Sequence, residues 1–196
     1  VATKRIEFIG ASMAEGSVDP ADRLSDLSYN SYLNSFTSKT GRMLNKEYGW
    51  SFNTVAFGGN GVVASKTDTL SMPERYFRDR EYIASTDGTT KESALAATSE
   101  YDTTKYVPDY IVFNLGTNDG GADNIAFVNN YIQFIKDLKK VYPDVVIFCM
   151  TPFNGTKEAQ VKLAVSTFSA EDKVYVIDWE NVYDAEDEWY SISIPK

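Results

Sequence analysis

Five short apolar runs punctuate the chain: Arg5–Gly10, Ser51–Phe57, Tyr110–Gly116, Val145–Thr151 and Val174–Asp178. They are rich in Val, Ile and Phe and mostly bounded by Gly, Pro or Asp, the signature of parallel strands covered on both faces. Helical periodicity fills several of the gaps. Across 31–48 the set Leu33, Phe36, Met43, Leu44 and Tyr48 falls largely on one stripe. Across 123–142 the set Ile125, Val128, Ile132, Ile135, Leu138 and Tyr142 does so more cleanly, and Glu158–Phe168 is a weaker third candidate. Alternation of this kind predicts βαβ crossovers and an α/β fold with a doubly wound sheet.

One connection departs from the pattern. Gly58–Asp109 is far longer than a loop plus one helix requires, so 62–109 reads as an insertion, either functional or a surface excursion. Within it Ser71–Phe77 predicts a short helix, followed by a stretch rich in Ser, Thr and Asp.

Composition narrows the class. A chain of 196 residues, 43% hydrophobic and 24% charged, suits a single globular domain over 1–196. A net charge of -9 opposes partnership with nucleic acid or an anionic membrane, because phosphate contacts need clustered Lys and Arg. No apolar run reaches the roughly 18 residues of a membrane-spanning helix. The single cysteine, Cys149, sits inside an apolar run and reads as a buried thiol, with no intrachain disulfide to form. The sequence enters its first strand directly after Val1–Lys4, as a mature protein or an excised domain would.

The candidate chemistry lies just after the strands, where open α/β sheets bind ligands. The first strand leads into Gly10-Ala11-Ser12-Met13-Ala14-Glu15-Gly16, the second into Gly58-Gly59-Asn60-Gly61 and the third into Gly116-Thr117-Asn118-Asp119-Gly120. Each alone is readable as a turn. Together they fit an acyl-transfer site, which needs an exposed hydroxyl on a rigid strand end and preorganised donors for an oxyanion. Ser12 supplies the hydroxyl and an N–H, Gly59 an unobstructed N–H, and Asn118 a neutral amide.

These segments resemble the SGNH (GDSL) hydrolases: Ile6–Ser12 their first block, Gly59 their second-block glycine, and Gly116-Thr117-Asn118-Asp119 their third. Met72–Tyr76, Tyr106–Tyr110 leading into Asn114, and Tyr142-Pro143 further resemble the acetylxylan esterases of carbohydrate esterase family two. The resemblance implies a flavodoxin-like three-layer sandwich with a five-stranded parallel sheet, Ser12 as nucleophile, and Ser12, Gly59 and Asn118 as the oxyanion hole. It also implies a secreted O-acetyl esterase acting on plant polysaccharide such as xylan, needing no cofactor or metal, and possessing further domains in a larger protein. Asp119, Trp179 and Trp189 are the candidate substrate contacts; for the tryptophans, stacking on a sugar competes with packing beneath an acidic loop.

Two departures qualify the resemblance. Ala11 stands where the family usually has Asp, which points to altered loop support. More seriously, the family's last block carries a His, and this chain has no histidine at all. The segment after the fifth strand, 178–189, offers six carboxylates instead. One of these would serve as a base only if burial raised its pKa by about two pH units from about 4. Three explanations stand: a His beyond Lys196, a non-catalytic carbohydrate- or protein-binding module on the same scaffold, or an unusual base. A phosphate-binding role for Gly10–Gly16 is disfavoured because that loop has no Lys or Arg.

Overall fold

The computed structural model describes residues 2–17, 31–63, 70–79 and 90–178, together with the backbone of 189–190 and 194–195. Five parallel strands form the central sheet: β1 (Arg5–Gly10), β2 (Ser51–Ala56), β3 (Tyr110–Asn114), β4 (Val146–Met150) and β5 (Val174–Ile177). Their order is β2-β1-β3-β4-β5. The chain therefore leaves β1 for one neighbour, β2, and returns on its other side as β3, which makes the β1/β3 boundary the switch point of the sheet. Gly10 lies opposite Ala56 on one side and Asn114 on the other, so the turns after all three strands open at one end.

Side chains alternate across the sheet as a period of two demands. Ile9, Ile111, Phe113, Ile147 and Cys149 face one side, packed against Met72 and Tyr76 of α3 (Met72–Tyr76), Phe127, Tyr131, Phe134 and Leu138 of α5 (Asn124–Val141), and Val161 and Ala164 of α6 (Glu158–Val165). Ile6, Phe8 and Val112 face the other side, against Phe36 and Leu44 of α2 (Phe36–Tyr48). The result is the expected three-layer sandwich. Cys149 is fully buried, and burial pushes its thiol up to about 12, as an inert core residue requires.

The helix stripes read from sequence are partly corrected. A 3₁₀ turn over Tyr32–Asn34 precedes Ser35, whose side chain caps α2 by accepting from the Ser38 N–H at 3.1 Å. Leu33 and Met43, both placed on the buried stripe, are each 62% exposed, and Tyr48 is also exposed. Phe36 and Leu44 pack on the sheet as expected, and the fully buried positions between them are Thr37, Ser38 and Gly41. Gly41 lies so close to the Phe52 ring that a side chain there would collide with it, and the Thr37 hydroxyl donates to the Ala14 carbonyl at 2.8 Å. Close approach through small residues thus accompanies the apolar contacts of Phe36 and Leu44. In α5 the stripe is largely as expected, with Ile135, Leu138 and the following Tyr142 buried and Val128 and Ile132 packed against the core; Ile125 is exposed, and the aromatic residues Phe127, Tyr131 and Phe134 widen the buried face.

The insertion contributes to the core rather than only riding on the surface. Val62, Leu70, Met72 and Tyr76 are all buried. α3 opens with a capping box in which Glu74 accepts from the Ser71 N–H at 2.9 Å. A further helix, α4 (Lys91–Ala96), forms in the Ser/Thr-rich stretch, with Thr90 as its N-cap. Backbone bonds from Tyr101 N–H to Phe77 O and from Asp79 N–H to Ser99 O close this segment on itself, at 2.9 and 3.0 Å.

Candidate active site

β1 ends at Gly10, and the chain turns at once into the single helical turn α1 (Ser12–Glu15). Gly10 permits this, because a Cβ there would sit 2.5 Å from that of Ala14. Gly16 ends the turn at φ 96°, with the Ser31 carbonyl where a Cβ would project. Ala11 occupies the N-cap position and makes no side-chain cap bond, which is the local consequence of having Ala in place of Asp. Ser12 is partly exposed at the mouth of the sheet.

The turn after β2 lies against this one. A Cβ built on Gly58 would stand 3.9 Å from the Ser12 Cβ and 2.9 Å from Glu15 Oε2. The Gly58 N–H donates to the Glu15 carboxylate. Gly59 follows at φ 80°, a conformation that favours glycine. The Asn60 N–H closes the turn onto Phe57 O at 3.1 Å.

The turn after β3 meets the same loop from the opposite side. Gly116 takes φ 125° with Pro152 Cγ 2.9 Å from its would-be Cβ, and a 3₁₀ turn carries Thr117–Asp119. Asn118 Nδ2 donates to the Asn60 carbonyl at 2.9 Å. An amide nitrogen carries two hydrogens, so one remains for another acceptor. Asp119 is fully buried, and its two oxygens accept from the Val62 and Val63 N–H groups at 2.9 and 2.8 Å. Its expected substrate contact is not what this geometry provides: the carboxylate is inaccessible and anchors the start of the insertion.

Ser12 and Asn118 are thus on turns that each contact the loop bearing Gly59. Trp179 lies outside the described residues. Trp189 is described in backbone only, opposite Pro195 in a short antiparallel pair, β6 (Trp189–Tyr190) with β7 (Ile194–Pro195). Sequence reasoning missed Glu15, Gly58 and Asn60. For Glu15 a signal existed, since a residue three positions after Ser12 on a helical turn shares its face.

Burial of the Glu15 carboxylate raises its pKa, with the Gly58 N–H pulling the other way. One layer below, on β1, Glu7 is buried, accepts from Asn53 Nδ2 at 2.8 Å and from the Tyr76 hydroxyl, and is likewise raised by burial. Among the described residues no group of three or more His, Cys, Asp or Glu could hold a metal ion. A concavity of about 690 Å³ lies at the other end of the sheet, around Lys4, Asp109 and Pro143. It is remote from the carboxyl ends of the strands, where this fold class binds ligands.

The β2-β1-β3-β4-β5 sheet with a serine-bearing turn at its switch point is that of the SGNH hydrolase fold, one of the flavodoxin-like folds that share this strand order. The GDSL-like lipase/acylhydrolase family model matches residues 8–194, and the chain belongs to that family. It is 32% identical over 155 residues to the cellulase/esterase CelE of Acetivibrio thermocellus, covering 74% of this chain and 17% of that protein. It is 30% identical over 113 residues to the acetylxylan esterase / glucomannan deacetylase of Cellvibrio japonicus, covering 54% of this chain and 28% of that one. The chain therefore spans less than a third of either relative. A family two carbohydrate esterase from Clostridium thermocellum, solved with cellohexaose, superposes with a TM-score of 0.72 at 26% identity, over 99% of this chain and 59% of that one. An acetyl xylan esterase from Butyrivibrio proteoclasticus shares the fold with a TM-score of 0.69 at 22% identity, over 90% of this chain and 55% of that one.

Proposed function

We propose that this domain is a carbohydrate O-acetyl esterase acting on acetylated plant polysaccharide such as xylan, outside the cell, within a larger protein. The observation that carries the reading is the junction of three turns, with Ser12 beside Gly58 and Asn118 bonded to Asn60. Ser12 Oγ attacks the acetyl carbonyl carbon as its proton passes to a base. The oxyanion that forms takes hydrogen bonds from the Ser12 N–H, the Gly59 N–H and the free hydrogen of Asn118 Nδ2. Collapse expels the sugar hydroxyl with a proton, and water then releases acetate from Ser12. A polymer substrate cannot enter a cell intact, which supports an extracellular site of action; the acidic surface is compatible with a neutral sugar chain.

The base is not a histidine of these 196 residues. That absence favours a second reading, a carbohydrate-binding module that keeps the pocket and lacks turnover. A serine hydroxyl without a base is a weak nucleophile. Acetate release from acetylated xylan and from an activated acetyl ester, with and without added imidazole, decides between the two. The esterase reading expects release that Ser12→Ala removes. Absence of any Ser12-dependent release under both conditions, with retained binding of a xylan or cellulose oligosaccharide, establishes the module instead.

A further inference from the structure

The oxyanion loop is held from both sides, and the holder on the Ser12 side is a residue with no assigned part. On the β3 side, Asn118 binds the Asn60 carbonyl and Asp119 binds the Val62 and Val63 amides. On the β1 side, the carboxylate of Glu15 receives the Gly58 N–H. Glu15 Oε2 lies 2.9 Å from the point where a Gly58 side chain would begin, so the carboxylate fills the space that the glycine leaves open. Ser12 and Glu15 are the first and last residues of the one-turn helix α1. A side chain anchored there fixes the loop relative to the serine itself.

We infer that Glu15 is a positioning residue for acyl transfer: by holding the Gly58 N–H it sets where the adjoining Gly59 N–H points relative to Ser12. This rests on the esterase reading. Two features make a purely structural role insufficient. Glu15 keeps part of its surface open to solvent, so it is not needed to fill the core. Its carboxylate is also desolvated enough for burial to raise its pKa, a cost that the Gly58 bond offsets. A partly desolvated acceptor spent on a backbone N–H beside a nucleophile is a device for fixing a donor.

The test needs an acceptor-preserving and an acceptor-removing variant. Glu15→Gln keeps a carbonyl oxygen of the same reach; Glu15→Leu removes it at similar volume; Glu15→Asp retains the charge but falls one methylene short. Amide hydrogen exchange at Gly58 and Gly59 reads the contact without requiring turnover. We expect exchange at Gly58 to quicken about tenfold in Glu15→Leu and Glu15→Asp, as for loss of one hydrogen bond, and to stay near the parent in Glu15→Gln. Kinetically, kcat should fall about 10–100-fold in the Leu and Asp variants with KM within about twofold, and recover in the Gln variant, because a displaced donor loses stabilisation only in the transition state. Unchanged Gly58 exchange in Glu15→Leu and Glu15→Asp overturns the proposal, as does full kcat in both. Should Glu15→Leu fail to fold, the Asp and Gln variants alone decide it. A parent protein with no Ser12-dependent turnover overturns the esterase reading separately, and exchange still decides whether Glu15 holds the turn.

Discussion

β1 and β3 lie side by side at the switch point, and they use their turns differently. The turn after β3 commits its side chains to the protein: Asn118 to the Asn60 carbonyl, Asp119 to two amides, with Gly116 wedged against Pro152. The turn after β1 holds a partly exposed Ser12 on a helical turn with an uncapped start. Each strand also governs one buried carboxylate. Asp119 answers two backbone donors, whereas Glu7 answers a phenol and a side-chain amide and is raised by burial. The β3 side is therefore a fixed platform presenting one side-chain donor, Asn118, and the β1 side carries the hydroxyl that reacts on the proposed mechanism. Stabilising a charge needs rigidity, while forming a bond needs an accessible atom.

Removing the platform's donor should have the largest effect on rate. On the proposed mechanism Asn118→Ala is expected to lower kcat by about 10²–10³ in the acetate-release assay, since it would delete a transition-state donor. A donor to an oxyanion acts on charge that develops only in the transition state, so KM should change less than kcat. An equal fall in both binding and turnover would instead make Asn118 a loop-building residue.

Asp119→Ala tests the same platform through stability. It strands the Val62 and Val63 amides, and a buried donor left unpaired costs about 1–3 kcal/mol, so a loss of about 3 kcal/mol is expected in urea unfolding. Asp119→Asn should be intermediate, because its amide can accept only one of the two N–H groups. A loss confined to KM, with stability intact, would restore Asp119 to the substrate contact that its sequence position suggests.

Gly116→Ala should cost somewhat less, about 1–3 kcal/mol, for a side chain forced into φ 125° and against Pro152. Gly121→Ala is the comparator, since a Cβ there meets nothing within 4 Å. It should be neutral or slightly stabilising. Equal behaviour of the two alanines would show that the turn is not the rigid element described.

The same contrast explains what the sequence made legible. Buried parallel strands must be continuously apolar, so Arg5–Gly10 and Tyr110–Gly116 announced themselves, and the turns bearing Ser12, Gly59 and Asn118 followed from where those runs stop. Half of the docking face of α2 was hidden because Thr37, Ser38 and Gly41, beside the expected Phe36 and Leu44, carry no hydrophobic signal, while Leu33 and Met43 carry one and are exposed. The work of Asp119 and Glu15 was hidden for another reason. Their partners are backbone amides of a distant loop, and a backbone N–H has no letter in the sequence.

Glu7 gives the smallest expected effect and the cleanest sign. Burial raises its pKa from the ordinary 4.5, with the bonds from Tyr76 and Asn53 only partly opposing this. The folded protein therefore holds that proton to a higher pH than the unfolded chain does. The stability this contributes is full below about pH 4.5 and is lost as pH rises through the raised folded value. Glu7→Gln has no proton to lose and keeps an acceptor for Asn53 and an amide facing the Tyr76 hydroxyl. The difference in stability, variant minus parent, should grow more favourable to the variant from pH 4 to pH 8. Taking the difference cancels every other group, including Glu15 with the same sign and Glu74 and Asp109, whose lowered pKa values act oppositely. Unfolding curves at four or five pH values suffice. Parallel stability profiles would mean that the bonds from Tyr76 and Asn53 offset the burial of Glu7 in full, and that the β1 side is no less settled than its neighbour.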